Sequence, residues 1–169
     1  MPTSTETDYI TTLARDMVSQ SPLGEELSDE ECDTLADAIT VRSIKAGDVL
    51  CAEGQTDDSI HVIVDGQLAV TRVTAGDEPI TLHVLKKGEM AGELGFIDGR
   101  PHSATLTAVA DCEVFSMSRA NLESMLYTHP DIVYKVMRAI MRTVHRILCQ
   151  MNAQFVEMSN YISKQHGRY

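Results

Sequence analysis

Apolar positions along the chain change their period twice. Tyr9, Leu13 and Met17 recur at four-residue steps, and Leu27, Leu35, Ala38 and Ile39 line a second short face, so helices are expected over 5–20 and 28–40. Pro22 and Gly24 interrupt the chain between them, and Ser28 followed by Glu31 has the form of a capping box. From Val41 to Met117 the pattern shortens to β-branched runs such as Ile60–Val64, Leu68–Thr71 and Ile80–Leu85. These are separated by glycines at 47, 54, 66, 76, 88 and 99, at intervals of 7 to 12 residues. That spacing predicts short strands of a sandwich, jelly roll or barrel. Asp65-Gly66 between two runs predicts a two-residue hairpin turn and, with it, an antiparallel meander.

The third regime opens at His129-Pro130-Asp131, with a proline at the first helical position and an acid in the first turn. No Pro or Gly follows until Gly167, so one helix of about 32 residues, roughly 48 Å, is expected. Met137, Ile140, Val144, Ile147, Met151, Met158 and Tyr161 alternate steps of three and four, with Gln154 the polar member, as a coiled-coil seam does. Tyr134, Met141, Leu148, Phe155 and Ile162 form a second stripe at seven-residue steps. Such a helix outruns a roll about 25–30 Å across. The second stripe is therefore expected to rest on the chain's own roll, while the seam pairs with its copy in a homodimer. Arg138, Arg142 and Arg146 would then lie on a solvated outer edge. The expected fold class is α+β: an antiparallel β-roll with N-terminal helices (1–26), the roll itself (27–128) and a long C-terminal dimerisation helix (129–166).

Length and charge narrow the picture. A chain of 169 residues with 43% hydrophobic content suits one core plus an appendage. The net charge of −11 disfavours nucleic acid or an anionic membrane as a partner of the whole chain. Residues 1–128 carry 8 basic and 23 acidic side chains, a net −15; residues 129–169 carry 6 and 2, a net +4. The two parts are expected to attract each other. Cys32, Cys51, Cys112 and Cys149 form no CxxC pair and are expected to be reduced thiols, with no metal site. The N-terminus lacks the basic and apolar regions of a signal peptide, and a cytoplasmic location is expected. No HExxH, GxSxG or P-loop motif is present, and no enzyme is expected. His145 and Cys149, one helical turn apart, make too few ligands for a metal, and His61 and His83 sit in β-runs where a packed histidine is commoner than a haem ligand.

Chemistry concentrates between Met90 and Thr105, where a glycine-flanked turn can aim backbone N–H groups at an anion and Glu93 supplies one carboxylate. Around it stand Ala46-Gly47-Asp48-Val49-Leu50, Glu53-Gly54, Ile63-Val64-Asp65-Gly66, Gly92-Glu93-Leu94, Cys112-Glu113-Val114 and Pro130-Asp131-Ile132. In this order they resemble the cyclic nucleotide-binding domain family from about Leu27 to about Asn160. The resemblance implies that Gly92, Leu94 and Ala104 offer backbone N–H groups to a cyclic phosphate. It also implies that Glu93 takes a ribose hydroxyl, that Ser103 touches the phosphate and that the long helix closes over the base. Where the family has Pro-Arg, this chain has Pro101-His102. A histidine lacks the guanidinium fork, so Arg100, two residues earlier in the chain, is the candidate substitute. The base-lid positions of the resemblance fall on Ile147 and Leu148, which can cap a ring but not read its polar edge.

Two functions follow as expectations. One is a regulatory module that senses cyclic AMP, cyclic GMP or a related anion, needs no cofactor and signals through its dimer helix to a protein partner. The other is a ligand-free dimeric interaction module with a decayed pocket. Since the chain ends a few residues after the helix, no DNA-reading domain is expected.

Overall fold

The computed structural model describes residues 4–74, 76 and 78–166, with side chains from 12 to 163. Tyr9 and the start of the 1–26 segment thus lie outside what is described in full. Helix α1 (Ser4–Ser19) buries Ala14, Met17 and Val18, while Leu13 is exposed. Helix α2 (Asp29–Ala36) begins with the expected capping box: the Ser28 hydroxyl accepts from Glu31 N–H at 3.3 Å, and the Glu31 carboxylate accepts from Ser28 N–H at 2.7 Å.

The middle of the chain folds into eight strands, β1 (Thr40–Ile44), β2 (Val49–Cys51), β3 (Ser59–Asp65), β4 (Gln67–Val73), β5 (Pro79–Lys86), β6 (Met90–Ala91), β7 (Thr105–Ala108) and β8 (Cys112–Ser118). They form two four-stranded sheets, ordered β1-β8-β3-β6 and β2-β7-β4-β5. The antiparallel roll is as expected, but the meander is not. Strand β3 pairs with β6 and β8, and β4 with β5 and β7, so Asp65-Gly66 is a corner between sheets and not a hairpin. Gly66 is needed there twice over: its φ is +84°, and an added Cβ would lie 2.5 Å from the Asp111 carbonyl oxygen.

The corner makes β3 the shared wall of two apolar clusters. Ile60 and Val62 face the helices with Phe115 and Met117, whereas Ile63 faces the second sheet with Leu68, Leu106 and Val114. A strand covered on both faces reads as a continuous apolar run, which explains Ile60–Val64.

Short helices α3 (Glu93–Asp98) and α4 (Arg119–Ser124) follow β6 and β8, and α5 (Pro130–His166) runs for 37 residues, about 55 Å. The face that α5 lays on the core is Ile132, Val133, Val136, Ala139, Ile140 and Thr143, all buried. This corrects the expected division of stripes. Tyr134, Met141 and Leu148 are exposed and do not rest on the roll, while Ile140 and, in part, Met137 of the seam are taken into the chain's own core. A helix of 3.6 residues per turn carries several apolar lines, and the core takes one that overlaps the seam on the side away from the second stripe.

The arginine expectation is corrected too. Arg138 and Arg142 both pair with the Glu26 carboxylate, and the Lys135 ammonium donates to both Glu31 oxygens at 2.7 Å. The basic C-terminal part is thereby drawn onto acids of the N-terminal part, as the charge asymmetry anticipates.

Candidate functional site

The site is assembled on α3 and the segment after it. Gly92 caps α3 with φ +85°, and a Cβ there would fall 2.6 Å from the Ser59 carbonyl oxygen. Gly95, inside the helix, leaves no room either: a Cβ would stand 2.9 Å from the Asp57 carbonyl oxygen. Both glycines let α3 press against β3 and the turn before it. Phe96 anchors the helix from the other side, fully buried in the cluster that holds Ile132, Val133 and Val136 of α5. The short helix α3 and the long helix thus share one buried cluster.

Glu93 is half-buried in the first turn of α3. Burial pushes its carboxyl above the usual carboxylate range, opposed by its own backbone N–H and by the nearby His102. His102 is tied in by its backbone, which donates to the Gln55 carbonyl and accepts from Gly54 N–H, both at 2.8 Å. Its ring lies against α3, with Cε1 3.7 Å from where a Gly95 Cβ would be, and its Nε2 is buried with no hydrogen-bond partner among the described residues. Arg100 is turned the other way. Its guanidinium meets Asp98 at 3.1 Å and its side chain is 83% exposed. Leu94 and Ser103 are exposed and Ala104 half-buried. The structure therefore brings Gly92, Glu93 and His102 together and leaves Arg100 at the rim. Ile147 is half-buried and Leu148 exposed, both beyond Thr143, the last buried side chain of α5 among the described residues.

Two features have no counterpart in the sequence reading. Arg72 of β4 meets Glu53 at 3.4 Å, and Glu53 N–H donates to Thr105 Oγ1 at 3.0 Å, which puts a second cation near the end of the same segment. The Glu53-Gly54 motif was the only sequence signal for it. Beneath α3, between the sheets, His61 is buried with Nδ1 2.7 Å from Ser116 Oγ and Nε2 3.1 Å from Asp57 and 3.4 Å from Cys51. Burial holds the His61 imidazole toward its neutral form against the pull of Asp57. Burial and the Asp57 carboxylate push the Cys51 thiol up to about 12. Asp57 itself sits below its usual value, because its bonds with Ser59 and the attraction of the His61 ring outweigh desolvation. So enclosed a ring offers no face to a haem. Cys32 and Cys112 are also buried, whereas Cys149 is exposed on α5 with its sulfur 3.6 Å from His145.

Comparison with known proteins agrees with the fold. The family model of the cyclic nucleotide-binding domain matches residues 41–129. A cyclic nucleotide-gated potassium channel of Rhizobium etli is 28% identical over 116 residues, covering 69% of this chain and 31% of its own length. Patatin-like phospholipase domain-containing protein 6 of Mus musculus is 26% identical over 124 residues, 73% of this chain and 9% of its own length. The chain thus spans less than a third of these curated relatives. A cyclic nucleotide-binding domain from Methylobacillus flagellatus has the same fold, with a TM-score of 0.78 at 21% identity over 89% of this chain and 85% of that one. No described helix is long and apolar enough to cross a membrane.

Proposed function

Since the chain belongs to the cyclic nucleotide-binding domain family, we propose that it is a regulatory module and not an enzyme, and that it takes a cyclic nucleotide or related anion over α3. The observation that carries this reading is the His102 imidazole. A buried polar atom without a partner costs about 1–3 kcal/mol, and His102 Nε2 is such an atom, set beside the Glu93 carboxylate. A phosphate oxygen would satisfy it. In this proposal Gly92, Leu94 and Ala104 give backbone N–H groups, Glu93 accepts from a ribose hydroxyl, Ser103 and His102 meet the phosphate, and Ile147 and Leu148 cap the base. Arg100 contributes only if its guanidinium leaves Asp98.

The signal would leave through Phe96, which shares a buried cluster with Ile132, Val133 and Val136 of α5, and pass to a second copy and a protein partner along the distal half of α5. Residues 1–26, 27–128 and 129–166 serve as clasp, sensor and output in this scheme.

Titration calorimetry with cyclic AMP and cyclic GMP at pH 6 and pH 8 tests it. Binding that His102→Ala removes and Arg100→Ala leaves is the expected result. No heat at high micromolar ligand at either pH would overturn the reading and leave the ligand-free interaction module. The position of Arg100 at the rim is the observation that favours that second reading.

A further inference from the structure

Three side chains of metal-ligand type meet at one point in the interior of the roll. Cys51 comes from the end of β2, His61 from the inner face of β3 and Asp57 from the turn between them. Their ligand atoms are separated by 3.4 Å (sulfur to Nε2), 3.1 Å (Nε2 to Oδ2) and 3.8 Å (sulfur to Oδ2). The arrangement is not a relay. A relay would set the carboxylate on one imidazole nitrogen and the thiol on the other. Here both face Nε2, and Nδ1 is engaged by Ser116 at 2.7 Å.

Around a tetrahedral zinc, with bonds of about 2.3 Å to sulfur and about 2.0–2.2 Å to nitrogen and oxygen, ligand atoms stand about 3.3–3.6 Å apart. The three observed separations lie within about 0.3 Å of that range. We propose that Cys51, Asp57 and His61 form a site for one divalent cation of zinc-like softness, with a water in the fourth position.

The donor set selects the class: one thiolate and one imidazole favour zinc over magnesium or calcium, which take oxygen shells. Thiolate plus carboxylate also cancel a double positive charge, so the loaded site buries no net charge. Ser116 fixes the ring through Nδ1, as outer partners of metal-binding histidines do. A way in exists along Asp57, whose side chain is 32% exposed. The cation would clamp β2, its following turn and β3 directly under α3, because His61 Cδ2 lies 3.3 Å from the position of a Gly92 Cβ. The proposal stands whether or not a nucleotide binds above.

The experiment uses the full chain carrying Cys149→Ala, so that the exposed His145–Cys149 pair cannot take metal. After chelation, Co2+ is titrated while thiolate-to-cobalt charge transfer and the visible bands of tetrahedral cobalt are recorded. Saturation at one equivalent is expected, followed by displacement with Zn2+ and a higher Tm in its presence. Adding Cys51→Ser should abolish the charge-transfer band, Asp57→Asn should weaken binding at least tenfold, and Cys112→Ser should change neither. A Cys149→Ala protein without cobalt bands, or bands that survive Cys51→Ser, would overturn the site. Should Cys51→Ser fail to fold, unchanged cobalt affinity in Asp57→Asn would overturn it equally.

Discussion

The two halves of α5 have the same apolar periodicity and unlike surroundings. From Pro130 to Thr143 the helix is built into the core and tied to Glu31 by Lys135 and to Glu26 by Arg138 and Arg142. Past Val144 no side chain is buried among the described residues, and Met151, Phe155 and Met158 are 59%, 65% and 56% exposed. Periodicity therefore establishes that a helix has an apolar face but not what covers it. The proximal half belongs to the fold of one chain, and the distal half is the surface that the proposed homodimer needs.

The contrast can be broken at several strengths. Ile140→Ala empties a fully buried site and should cost about 2–5 kcal/mol, read from denaturant unfolding; a loss below about 1 kcal/mol would mean that the proximal half is not core. Glu26→Gln removes the acceptor shared by two arginines that are themselves partly exposed, and about 1 kcal/mol is expected. The same loss in an Arg138→Ala, Arg142→Ala background would show that the pairing contributes nothing.

Glu31→Gln tests the pairing of α2 with α5 through pH. The bond from Lys135, then that from Ser28, holds the Glu31 carboxyl below its ordinary 4.5. A lowered carboxylate contributes stability that is present above the unfolded value and is lost as pH falls through the folded one. The gap in Tm between wild type and Glu31→Gln should therefore be widest near neutrality and shrink as pH falls below 4.5; a gap that stays constant would contradict the pairing with Lys135. The smallest effect on the single chain is expected from Met151→Gln with Phe155→Gln, within about 0.5 kcal/mol at dilution. Sedimentation should nevertheless shift from dimer to monomer. A wild type that is already monomeric at micromolar concentration would remove the dimer from the proposal.

What the sequence made legible follows the reach of each signal. The capping box at Ser28 and Glu31, the strand runs and the start of α5 are local, and each lies where its residues indicate. The Asp65-Gly66 corner was misread because a glycine turn looks the same whether the next strand pairs or crosses to another sheet; Asp111 decides it from 45 residues away. The arginines of α5 were read as solvated because Glu26 lies over 110 residues earlier. In the candidate site the motif located α3 and Glu93, but only the fold separates Arg100 from His102. Cys51, Asp57 and His61 left no trace, since six- and four-residue gaps across a turn match no ligand spacing used in reading sequences.

The burial of three cysteines and the exposure of Cys149 have a practical consequence. Under native conditions the chain offers one readily alkylated sulfur, and it sits on the unburied part of α5. A spin label or fluorophore attached there would need no engineered thiol and would measure the distance between two such helices directly, with and without nucleotide.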